Sequence, residues 1–126
     1  MDRYRPIGDY AAIGDCRTAA LVSREGSIDW LCLPCFDGPS VFAGILDEER
    51  GGRTAVRPAG PVLDVSRRYV PGTNVLETTF TTGTGKVRLT DAMTAPVERG
   101  RPELRPAHEI VRRVELVDGE AEVEVV

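Results

Sequence analysis

The sequence predicts an all-β fold, an antiparallel β-sandwich with one short helical turn. Three observations carry that reading. Thirteen glycines and nine prolines cut the 126 residues into short segments. Almost no segment holds a helical period beyond two turns. Two stretches show strand pairs closed by glycine-bearing turns. The length suits one domain with a core of its own, and no second domain is expected within residues 1–126.

Residues 18–23 ("TAALVS") and 27–33 ("SIDWLCL") flank "REG", a hairpin in which Gly26 supplies a positive φ. In the second strand strict alternation would put Ile28, Trp30 and Cys32 on one face and Asp29, Leu31 and Leu33 on the other. Both faces are then mostly apolar, as inside a sandwich. Residues 40–49 ("SVFAGILDEE") give the one helical candidate, with Ser40 as its N-cap. Strands follow at 51–58 and 63–70, separated by "AGP". A second hairpin joins 74–82 to 86–93 through "GTG", with Leu76, Thr78 and Phe80 set against Val75, Glu77 and Thr79. Residues 94–106, with three prolines, read as a loop. Residues 108–126 give a long strand, a turn at Asp118-Gly119 and a last strand that ends on an apolar alternation, as though the natural polypeptide continued.

Composition narrows the function. A net charge of −4 leaves no basic surplus for a phosphate backbone, so nucleic acid is not expected as a partner. No apolar run reaches the ~18 residues of a membrane span, and the N-terminus lacks a secretory h-region. Three cysteines cannot all pair within one chain, which points to a reducing, cytoplasmic setting.

Chemistry-bearing motifs are few. Cys32 and Cys35 have C-x-x-C spacing, and with Cys16 they form the only candidate metal or redox set. A zinc site would want a second pair, yet only His108 remains. The pair also sits at a strand end, outside the βαβ setting that activates such thiols, so buried thiols are the plainer reading and no cofactor is expected. No G-x-S-x-G elbow accompanies His108, and "TTGTGK" lacks the Walker spacing. Carboxylates are numerous, but sugar hydrolysis needs two of them facing each other across a substrate. Asp15 and Asp37 read as turn caps, and Glu48-Glu49 as a solvated turn.

"IGDCRTAALV", "GSIDWLCLP" followed by "FDGPS", and "RRYVPGTNVLETTF" together give the most recognisable pattern. The chain resembles, over nearly its whole length, the N-terminal domain of bacterial glycoside hydrolase family 15 proteins, glucoamylase-like and trehalase-like. The resemblance implies a supersandwich-like N-terminal β-sandwich, a linker, and an (α/α)6 barrel carrying both catalytic glutamates of an inverting hydrolase. Neither glutamate maps onto this chain, so no catalytic residue is expected in it and it should be inactive alone. Cys35 stands where the family pattern has a basic residue. The resemblance further implies that "DWLCLPCFDGPS" lies against the barrel, which makes Trp30, Pro34, Phe36 and Asp37 candidate interface or pocket-rim residues. Against this stands Trp30 as sandwich core and Asp37 as a turn cap. Expected partners are the catalytic barrel and, for the isolated domain, a second copy bound through an exposed apolar face or an edge strand, foremost residues 121–126. The competing functions are a free-standing carbohydrate-binding module, which seven aromatic residues serve poorly, and a cysteine-based metal or redox module.

Overall fold

The computed structural model describes residues 4–95 and 107–126. Ten strands run β1 (Tyr10–Gly14), β2 (Ala19–Ser23), β3 (Ser27–Cys32), β4 (Ser40–Phe42), β5 (Thr54–Pro58), β6 (Val62–Tyr69), β7 (Leu76–Thr82), β8 (Gly85–Met93), β9 (Ile110–Gly119) and β10 (Val123–Val125). They form two antiparallel sheets. One has the order β1-β2-β3-β5-β10 with β4 also on β3, and the other the order β6-β7-β8-β9. Most of the loop expected at 94–106 lies outside the described residues.

The sheets face each other across one apolar layer. Ile13, Ala20, Val22, Ile28 and Leu31 of the first pack with Leu76 and Met93 of the second. Beside them Val56 packs with Phe80 and Leu89. Phe80 is 1% exposed, and burial of a side chain that size contributes about 2–3 kcal/mol. The hairpin turns behave as the sequence predicts. Gly26 has φ +77, and a Cβ there would stand 2.2 Å from the Val56 carbonyl oxygen, so the turn requires glycine for both space and conformation.

The structure corrects the sequence reading in two places. Residues 40–49 form no helix: Ser40–Phe42 is strand β4, and a series of turns follows. The helical turn is instead a 3₁₀ turn at Ile7–Asp9. The reason is pairing, since Leu31 and Cys32 take Phe42 and Ser40 as cross-strand partners.

Second, β3 does not alternate strictly. Leu21 pairs with Trp30 and Val22 with Ile28, so Asp29 is an extra, bulged residue. Ile28 and Leu31 therefore both enter the core, and Trp30 turns to the opposite, outer face.

After β9 the chain turns at Gly119, which has φ +67. β10 crosses to the other sheet and pairs with β5, Val125 opposite Val56. The strand that looked unfinished is tied on one side by reciprocal bonds between the backbones of Val126 and Ala55, at 2.9 and 3.1 Å.

Candidate functional site

Two turns stand side by side at one end of the six-stranded sheet. The first links β1 to β2. Asp15 Oδ1 accepts from the amides of Arg17 and Thr18, both at 2.9 Å, which fixes a tight turn and leaves Cys16 at φ +72. The second follows β3 through a cis Leu33–Pro34 bond. It is closed by the Leu33 amide on Pro39 O at 3.2 Å and the Gly38 amide on Cys35 O at 2.9 Å. Gly38 has no alternative there, because a Cβ would lie 2.5 Å from Leu33 O. Thr18 Oγ1 donates to Cys32 O at 2.6 Å, and the Phe36 amide to Arg17 O at 3.2 Å, so the turns brace each other.

Three of the four candidate rim residues occupy that second turn. Pro34, Phe36 and Asp37 are exposed, Phe36 by 65%. An aromatic ring this exposed adds little to internal packing. Trp30 stands on the strand leading into the turn. It is half-buried on the outer face opposite Leu21, so it is not the core tryptophan that alternation allowed. The Cys35 thiol donates to Asp37 Oδ1 at 3.0 Å. That bond raises the thiol's pKa and lowers the carboxyl's. Cys35 is thus held as a thiol, the reverse of an activated nucleophile.

The three cysteines do not meet as one ligand set. Cys32 is buried, Cys35 half-buried and Cys16 exposed, all with free thiols. Among the described residues no three His, Cys, Asp or Glu side chains cluster as metal ligands. No helix among them is long and apolar enough to cross a membrane.

Buried carboxylates are bound into the fold. Besides Asp15 there are Asp29 and Asp91, 2% and 0% exposed. Asp29 accepts from Arg5 Nη1 at 3.0 Å, the Tyr10 hydroxyl at 2.6 Å and the Ser27 hydroxyl at 2.5 Å. Burial, then the hydrogen bond to Asp29, pushes the Tyr10 hydroxyl up to about 12. Asp91 faces Arg112, whose Nε donates at 2.7 Å. The same guanidinium reaches across to Gly26 O at 2.7 Å and Thr54 O at 3.3 Å, latching one sheet to the other. Burial raises the pKa of Asp91, and Arg112 opposes the rise. Sequence reading missed both networks. The available signal was an aspartate inside each of two apolar strands, since a buried charge calls for a partner.

Two open clefts, of about 360 and 320 Å³, lie at the β5–β6 side of the sandwich. Glu25 and Glu124 line the second, but Glu25 is ion-paired with Arg5 and Glu124 with Arg57. Neither of these two clefts is lined by a pair of free carboxylates.

The fold and this site define an antiparallel β-sandwich whose buried acids are structural. A family model described as "Trehalase-like, N-terminal" matches residues 2–125, and the chain belongs to that family. It is similar to the trehalase of Mycolicibacterium smegmatis, 46% identical over 91 residues, which cover 71% of this chain and 13% of that protein. It is also similar to the Mycobacterium tuberculosis trehalase, 43% identical over 90 residues covering 71% of this chain and 13% of that protein. The Thermoplasma volcanium trehalase is 43% identical over 96 residues, covering 74% of this chain and 15% of that protein. The chain thus spans a small fraction of the relatives it matches. No solved structure matches it.

Proposed function

We propose that this chain is the non-catalytic N-terminal domain of an inverting α-glucoside hydrolase of trehalase or glucoamylase type. In this reading it is a single domain that packs on the catalytic barrel and shapes the rim of the sugar pocket through Trp30, Pro34, Phe36 and Asp37. One observation carries it: the matched region makes up only 13–15% of relatives that are trehalases. The acids of the sandwich support it further, because Asp15, Asp29 and Asp91 each already hold an internal partner. The exposed phenylalanine on the braced turn after β3 supports placing that turn against the barrel. Three free thiols fit a reducing, cytoplasmic setting. The isolated domain is further expected to pair with itself through a strand edge.

The test is binding in trans. The chain is titrated into a trehalase-type catalytic segment lacking its own N-terminal domain, and the Phe36→Ala and Asp37→Ala variants are compared with it. A complex weakened by either substitution supports the reading, and a complex indifferent to both removes the rim assignment. Heat evolved on adding trehalose or maltooligosaccharides to the chain alone would favour a free-standing carbohydrate-binding module instead.

A further inference from the structure

We propose that the outer edge of β9 is a self-association surface, on which a second copy of this chain adds its own β9 antiparallel across a two-fold axis centred on Val114. β9 is bonded to β8 along one edge, and among the described residues no strand pairs with the other. It is a ten-residue strand. Four of its side chains, Val111, Val114, Leu116 and Val117, are between 42% and 58% exposed. A long open edge with exposed apolar side chains is a template for another strand.

Charge selects the second copy as that strand. Val87 faces Leu116 while Lys86 faces Asp118, so Val117 is bulged and the regular ladder covers residues 110–116. A two-fold axis normal to the sheet must set one residue against itself. Registers pairing five or more residues of 110–116 are then centred on Arg112, Arg113 or Val114. The first two oppose an arginine to its own copy. Centred on Val114, Arg113 lies opposite Glu115 of the second copy, and Glu115 opposite its Arg113. Val114 meets Val114, and Leu116 lies beside the stem of Arg112, whose head is held by Asp91.

The strand is already arranged for this. Arg113 Nη2 donates to Glu115 Oε1 at 2.7 Å within one chain, so the two share a face, with Arg113 70% and Glu115 33% exposed at the side chain. Two such pairs brought together by the axis form a closed cluster of two arginines and two glutamates. Opposite charges set directly across a ladder stabilise it, and like charges oppose it. Pairing along β9 deepens the self-association proposed above for the isolated domain and requires nothing of the parent hydrolase's identity.

Sedimentation equilibrium on the 126-residue chain, from about 1 μM to about 1 mM, tests it over the range expected of a small interface. The expected result is a reversible dimer that loosens as salt is added. Arg113→Glu and Glu115→Arg should each weaken it by about tenfold or more, because each creates two like-charge oppositions. The double swap restores both pairs and should return the affinity to within about threefold of the parent. Thermal melts at dilution report whether each variant folds, and the double swap keeps the test decisive if one single variant does not. A monomer throughout the range overturns the proposal and leaves the edge to another strand. A dimer indifferent to the single substitutions, or one the double swap fails to restore, also overturns it.

Discussion

The two sheets are built on different rules. β7 and β8 alternate buried and partly exposed positions almost without a break. Their inner residues reach the core and their outer residues face solvent. β3, at the middle of the other sheet, is buried at five of its six residues. Its outer face is roofed by the N-terminal segment, which reaches it through Arg5, and by the turn after β4, whose Ile45 amide bonds Asp29 O at 3.0 Å. A strand buried on both sides cannot leave a polar group to water, so the doubly covered sheet is where a charge such as Asp29 requires partners. In the regular sheet the buried carboxylate, Asp91, takes Arg112 as its partner, at a latch onto the other sheet.

Breaking that latch should have the largest effect. Arg112→Met strands the Asp91 carboxylate in the core and is expected to cost about 3–5 kcal/mol, a large part of a small domain's stability. Adding Asp91→Asn should recover much of the loss in urea unfolding, because no charge is then buried alone. Asp29→Ala should cost less, about 2–3 kcal/mol, as Arg5, Tyr10 and Ser27 lose an acceptor but Arg5 keeps Glu25. Limited proteolysis should then show cleavage near Arg5 before cleavage in β7 or β8.

The difference between the sheets explains what could be read in advance. The Leu76, Thr78, Phe80 face was legible because alternation of period two survives along β7 without interruption. The face of Trp30 was not, since one bulged residue at Asp29 reverses every assignment that follows it, and nothing in "SIDWLCL" marks the bulge. Residues 40–49 misled for a related reason: their local period allows a helix, while the free edge of β3 takes the first three as a strand. The turn cap at Asp15 was open to reading because it rests on local bonds alone, whereas Asp37, expected as a second cap, is bonded by the Cys35 thiol. The Asp91–Arg112 latch joins residues 21 apart through tertiary packing, which no local pattern encodes. Two of the three motifs that carry the family resemblance lie in the irregular sheet, where periodicity alone misplaces Trp30.

Smaller effects sharpen the same contrast. Tyr10 ionises near 12 in the folded chain against 10 when free. Its contribution to stability is therefore complete below pH 10 and lost as pH rises from 10 to 12, and Tyr10→Phe should lack that alkaline component in melts followed by circular dichroism. Thr78 is fully buried, and its hydroxyl has no partner among the described residues. Thr78→Val keeps the shape and should stabilise the regular sheet by about 1 kcal/mol in the same unfolding assay. Phe36→Ala should change stability by less than about 0.5 kcal/mol, as expected for a largely exposed side chain.

An accessory sandwich has no reaction centre of its own. The most direct test of that claim is glucose release from trehalose by the purified 126-residue chain, followed over hours at high protein concentration. None above the buffer rate is expected. Sustained turnover that disappears when Asp15, Asp29 or Asp91 is replaced by the matching amide would contradict it.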